Sequence, residues 1–94
     1  LLDEARIRAI EAVTDVPLVI HGGSGVPVAQ RTKLSRGTNV CKFNIGTELR
    51  LAFGKALRKS LIDQPDAFDH LALLEPTIAA LKIETEQLLR SISR

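Results

Sequence analysis

The chain has 94 residues, 45% of them hydrophobic and 26% charged, with a formal net charge of +2. That slightly basic balance invites nucleic acid, but the distribution argues against it: the only aromatics are three Phe, no Lys/Arg block occurs, and Lys55, Arg58 and Lys59 fall in the last turns of a predicted helix, where they complement its dipole. The single Cys41 excludes an internal disulfide framework and suits a reducing, cytoplasmic compartment, and no stretch is apolar for long enough to span a membrane.

From Leu1 to about Val13 the pattern predicts a helix, with Leu2, Ile7, Ala9, Ile10 and Val13 as an apolar stripe against Asp3, Glu4, Arg6, Arg8 and Glu11. Thr14-Asp15 ends it. Val16 to Ile20 reads as a strand whose uncharged run Leu18-Val19-Ile20 suits burial on both faces of a parallel sheet. It runs directly into His21-Gly22-Gly23-Ser24-Gly25-Val26-Pro27, so the histidine sits at a strand's carboxyl end. Three glycines in four residues let the backbone approach a ligand and aim N–H groups one way, with the Ser24 hydroxyl beside them. The residues thus describe an anion seat next to an imidazole; the alternative is an ordinary loop histidine. The dinucleotide fingerprint, the P-loop and the esterase elbow are all excluded, because Val28 and Val26 stand where glycines are required and no Gly-Lys-Ser/Thr follows.

Val28 to about Arg36 reads as a crossover helix, opened by Pro27 and closed by Gly37. The second strand is Val40 to Ile45. Alternation places Cys41, Phe43 and Ile45 on one face and Val40, Lys42 and Asn44 on the other. The polar face would meet solvent in a plain sheet. In a closed barrel it would point inward at the ligand end, where Asn44 and His21 share one rim. Thr47 is expected as the N-cap of a helix from Glu48 to about Ile62, with Leu49, Ala52, Phe53, Ala56 and Leu57 at helical spacing. Asp63-Gln64-Pro65-Asp66 reads as a linker, Phe68 to Leu74 as a short helical segment, and Pro76 as the start of a last helix carrying Ile78, Leu81, Leu88, Leu89 and Ile92 on one stripe. The absence of methionine, the opening on Leu1 and the presence of only two parallel strands lead to the expectation that the 94 residues are part of one larger domain.

His21-Gly22-Gly23-Ser24-Gly25-Val26-Pro27, a crossover helix, and then Cys41-Lys42-Phe43-Asn44-Ile45-Gly46-Thr47-Glu48-Leu49-Arg50 together resemble the C-terminal part of a class II, zinc-dependent ketose-bisphosphate aldolase of the fructose- or tagatose-bisphosphate type. The resemblance covers nearly the whole chain. It implies an α/β fold, the last two strands of a (β/α)8 barrel with their helices and a C-terminal extension. It implies reversible cleavage of a ketose 1,6-bisphosphate to dihydroxyacetone phosphate and glyceraldehyde 3-phosphate, with zinc stabilising the enediolate. His21 would be one of three histidine ligands of the zinc. Gly22, Gly23 and Ser24 would hold the substrate phosphate with Asn44, Ile45, Gly46 and Thr47, and Asn44 would also lie near the reacting carbons. A monovalent cation, sodium or potassium, is expected near the phosphate. The proton-transferring acid lies outside this sequence, and Glu48 is a helix-start residue.

Two departures stand out. One additional residue separates His21 from Asn44 relative to the tagatose-type pattern, with Gly37-Thr38-Asn39-Val40 as its place, and Val28-Ala29 replaces the acidic residues that often follow the Val-Pro. His70, the other histidine, lies in a largely apolar segment and is not expected to bind metal. The family tends to form homodimers or tetramers, and the partners implied are a phosphorylated sugar and further copies of the chain, with neither nucleic acid nor membrane. A non-catalytic phosphate-binding or assembly subunit on the same barrel is the alternative function, and the isolated 94 residues are expected to be inactive.

Overall fold

The computed structural model describes residues 1–93, which divide into two compact units. The first holds Leu1–Gly46 together with the chain from Leu89 onward; the second is Thr47–Leu88. In order, the elements are α1 (Glu4–Glu11), β1 (Leu18–Ile20), a 3-10 turn (Gly23–Gly25), α2 (Val28–Gly37), β2 (Val40–Phe43), α3 (Thr47–Asp63) and α4 (His70–Ile92). The fold is α/β, with β1 and β2 forming a parallel pair joined through α2.

In the first unit, α1 begins where Asp3 caps it, its Oδ1 accepting the Arg6 N–H at 3.0 Å. The helix is shorter than its apolar pattern suggests. Ile7 is buried and Leu2 packs at the core's margin, but Ile10 is 41% exposed and Val13, beyond the helix end, 84%. The docking of α1 on α2 is largely polar instead. Gln30 donates to the Leu2 carbonyl at 2.9 Å and accepts the Leu2 N–H at 3.0 Å, and Lys33 pairs with Glu4 at 2.6 Å.

Helix α2 takes in Gly37 as its last residue, where sequence places that glycine just past the end. Thr38 stops it in an extended conformation, its N–H and its hydroxyl both donating to the Leu34 carbonyl. The strand register brings a second correction. Leu18 pairs with Val40, but Val19 pairs with Lys42 and Ile20 with Phe43, so Cys41 is an extra residue on β2. Such a bulge breaks strict alternation. Val40 and Phe43 therefore both enter the core while Cys41 and Lys42 are exposed, in place of the Cys41/Phe43 and Val40/Lys42 faces. Ile7, Ile20, Val26, Leu34, Val40 and Phe43 form that core, flanked by Leu2, Leu18, Ile45 and Ile92. Leu34, 1% exposed, is worth about 1.5–3 kcal/mol by burial alone.

The second unit corrects the reading of Pro76. Sequence suggests two helical segments broken before it; the structure has one helix with Pro76 inside. Proline lacks the N–H that would reach the carbonyl four residues back, that of Ala72. That carbonyl accepts from Gln64 Nε2 at 3.2 Å, and the next one, Leu73, accepts from Ser60 Oγ at 2.7 Å. The Gln64 side chain, just past the end of α3, thus takes the place of the missing backbone donor, and buried Ser60 adds a bond to the neighbouring carbonyl. Of the stripe expected on α4, Leu88 is buried whereas Ile78 and Leu89 are exposed. Among the described residues, no helix is long and apolar enough to cross a membrane.

Candidate functional site at the strand ends

Because Ile20 and Phe43 are paired last residues of adjacent parallel strands, the residues that follow them, His21 and Asn44, leave the sheet at the same edge. The Asn44 N–H donates to the Ile20 carbonyl at 2.8 Å, extending the ladder by one bond. The Gly23 N–H then donates to the Asn44 carbonyl at 2.9 Å, pinning the glycine turn onto the end of β2. With both backbones held, the two side chains meet, and Asn44 Nδ2 donates to His21 Nδ1 at 3.0 Å. A neutral imidazole that accepts at Nδ1 carries its proton on Nε2. His21 is exposed and Asn44 half-buried, so the pair faces outward from the strand ends.

Two glycines make this geometry possible for different reasons. Gly22 has φ of 64°, the left-handed conformation in which the chain reverses from β1 into the 3-10 turn. Gly23 has no such backbone requirement. Its lack of a side chain allows close approach, since a Cβ there would lie 2.8 Å from Ile45 Cγ1 and 3.2 Å from the Asn44 carbonyl oxygen. The turn closes with the N–H groups of Gly25 and Val26 donating to the carbonyls of Gly22 and Gly23, each at 3.1 Å. Gly23 therefore contributes proximity, its own N–H being engaged by Asn44.

Of the residues singled out by sequence, His21, Gly22, Gly23, Ser24, Asn44, Ile45 and Gly46 belong to the first unit, and the bonds just described tie the glycine turn and Asn44 to one end of the sheet. Thr47 belongs to the second unit and is the first residue of α3, one position earlier than the expected N-cap role; its hydroxyl accepts from Arg50 Nη2 at 3.1 Å. His70 opens α4, also in the second unit, with Nδ1 3.8 Å from the Asp69 carboxylate.

A feature not foreseen from sequence sets the entry to β2. The Glu11 carboxylate accepts the Asn39 N–H at 2.8 Å and the Arg8 guanidinium at 2.9 Å, while the same Arg8 nitrogen donates to the Gly37 carbonyl. The Asn39 N–H chiefly, and Arg8 after it, hold the Glu11 carboxyl below its ordinary value. Lys33 and then Gln30 do the same for Glu4. The clasp fastens the Gly37–Asn39 connection, the stretch where the additional residue was placed, and so fixes where β2 starts and where Asn44 ends up. Its only trace in the sequence is Arg8 three positions before Glu11, a pair that on an exposed helix face normally signals nothing beyond solubility.

The site supplies one imidazole at an open edge with an amide beside it, which fits one corner of a metal centre. No group of three His, Cys, Asp or Glu residues among the described residues could hold a metal by itself. The family model of class II fructose-bisphosphate aldolase matches residues 1–94, the full length of the chain. With the histidine and asparagine that carried the resemblance now in contact at the ends of neighbouring parallel strands, the chain belongs to the class II fructose-bisphosphate aldolase family.

Proposed function

We propose that the chain is the C-terminal part of a ketose-bisphosphate aldolase barrel and contributes one zinc ligand and most of a phosphate seat to its active site. Membership in the family assigns it to aldol cleavage in general, a carbon–carbon lyase reaction. The finer reading is cleavage of a ketose 1,6-bisphosphate into dihydroxyacetone phosphate and glyceraldehyde 3-phosphate. The observation that carries it is the His21–Asn44 contact at the paired ends of β1 and β2, beside the Gly22–Gly25 turn. Ligands cluster at strand carboxyl ends in barrels of this kind. The exposure of Val16, Val19 and Val28 on the first unit suits packing against further strands and helices of the same barrel.

In this reading, His21 is one of three imidazole ligands and the other two come from elsewhere in the barrel. When bound, zinc supplies a Lewis acid that polarises the substrate's carbonyl oxygen. The turn from Gly22 to Ser24 and the segment Asn44 to Thr47 hold the phosphate, Gly23 by allowing its close approach, and the Ser24 hydroxyl and the backbone N–H groups outside the Gly23 and Asn44 bonds by facing its charge. A sodium or potassium ion beside the phosphate completes the neutralisation. Anchoring the phosphate fixes the distance from it to the carbons that part, turning binding into orientation. The Asn44 amide then donates to an oxygen that gains negative charge as the bond breaks, an interaction stronger in the transition state than before it. A homodimer or tetramer in the cytoplasm, where exposed Cys41 stays reduced, fits the same picture.

The test is a cleavage assay on the full-length protein with fructose and tagatose 1,6-bisphosphates, before and after zinc removal by chelator and again after zinc is restored. Cleavage lost and regained with zinc is expected. Tight binding of the bisphosphate by the zinc-loaded protein without any cleavage would identify a non-catalytic phosphate-binding subunit instead.

A further inference from the structure

We propose that Lys42 is a positioning residue of the site: in the full-length protein its ammonium is buried one level below His21 and Asn44, pairs with a carboxylate from a strand outside this chain, and so holds the end of β2 where Asn44 works. The inference rests on the reading of the chain as part of an aldolase barrel and deepens it. Lys42 is the one charged residue on either strand. The bulge decides which way it faces. With Cys41 as the extra residue, Val40 and Phe43 both enter the core beneath the helices, and Lys42 stands directly across from Val19 on the opposite face. Residues two apart along a strand share a face, so this one has two levels: Val19 with Lys42 and, about 6–7 Å further on, His21 with Asn44. Both members of the lower level are open in the 94 residues, Val19 being 42% exposed.

In a closed barrel the face turned away from the helices is the interior, which side chains fill in layers. A lysine there loses its water, and a desolvated ammonium is kept only with a counter-charge. Among the described residues of the first unit the carboxylates are placed elsewhere: Asp3 caps α1, Glu4 pairs with Lys33, Glu11 holds Arg8 and the Asn39 N–H, and Asp15 precedes β1 at the end away from His21. The partner therefore comes from another strand of the barrel. A pair of that kind ties β2 sideways two residues before Asn44, whose own backbone is bonded to Ile20 and Gly23. Any shift of β2 carries the Asn44 amide with it, and misplacement by about 1 Å costs on the order of 10²-fold in rate.

Two measurements on the full-length protein test this. In the first, trace acetic anhydride labels the lysines of folded and urea-unfolded protein, and peptide mass spectrometry reads each site. Folding should slow acetylation of Lys42 by about 10-fold or more, because a buried amine reacts only through local opening. Lys59, whose side chain is 76% exposed, is the reference and should change little. Equal rates at Lys42 in the two states overturn the proposal. The second measurement is steady-state kinetics. Lys42→Met should lower kcat by about 10–100-fold with a smaller change in KM, and Lys42→Arg, which keeps the cation, should restore most of the loss. Should Lys42→Met not fold, Lys42→Gln takes its place in the same comparison. A protected Lys42 with wild-type kcat in the variant without the charge would make it a structural residue only, which overturns the proposal and leaves the aldolase reading standing. A wild-type protein that cleaves no ketose bisphosphate overturns both.

Discussion

His21 Nδ1 and Asn44 Nδ2 lie 3.0 Å apart although 23 positions separate the two residues in sequence. The contact exists because a parallel register pairs the last residues of β1 and β2 and the backbone bonds of Asn44 extend that pairing by one step. It places Asn44 where its loss should show in turnover. In the zinc-loaded full-length enzyme, Asn44→Ala should lower kcat by about 10²–10³-fold, as for a removed oxyanion donor, with a smaller change in KM. Wild-type kcat would leave Asn44 with a merely structural role.

Gly23 tests how closely the turn must approach β2. An added Cβ would meet Ile45 Cγ1 at 2.8 Å and the Asn44 carbonyl at 3.2 Å, and one of those contacts is backbone. Gly23→Ala should therefore cost about 1–3 kcal/mol, as overpacking does, and Gly23→Val more, with KM for the bisphosphate raised by the displaced turn. Thermal denaturation and steady-state kinetics check both effects. An unchanged melting temperature in Gly23→Val would show that the approach is not required.

The Glu11 clasp carries a pH signature. Its carboxyl is held below the ordinary value by the Asn39 N–H and by Arg8, so the unfolded chain takes up its proton at higher pH than the folded one. The sign follows: Glu11 contributes stability above its unfolded value, near 4.5, and that contribution is lost as pH falls through the folded value. Between pH 6 and pH 3, Glu11→Gln should lose less stability than wild type, and near neutral pH it should be the less stable of the two. Parallel acid losses in urea melts would place the acid sensitivity elsewhere.

Pro76 offers a check on packing in the second unit. Because Gln64 donates to the carbonyl that proline leaves without a partner, Gln64→Ala should cost about 1 kcal/mol in the native background and less in a Pro76→Ala background, where a backbone N–H is restored. Equal costs in the two backgrounds would show that the bond does not compensate for the proline.

What the sequence disclosed and what it did not divide along one physical line. The uncharged run of β1, the glycine turn and the placing of His21 and Asn44 at neighbouring strand ends were legible because each rests on local pattern or on a parallel crossover. The faces of β2 were not, because an extra residue at Cys41 breaks the period of two and nothing in Val40-Cys41-Lys42-Phe43 marks it. The helix through Pro76 was hidden as well. The carbonyl that Pro76 leaves without its backbone partner is met by Gln64, a side chain 12 positions upstream, and local propensity carries no record of distant donors. The glycines are expected to let the backbone approach a ligand; the structure shows the close approach of Gly23 to be to Ile45 and Asn44, and only Gly22 needs the left-handed conformation.

Zinc stoichiometry of the full-length protein, taken with cleavage of fructose 1,6-bisphosphate on the same samples, is the direct test of whether His21 holds the catalytic metal. His21→Ala should fold with wild-type secondary structure, retain well under one zinc per chain after gel filtration, and cleave no bisphosphate. A full complement of zinc and normal turnover in that variant would contradict the claim.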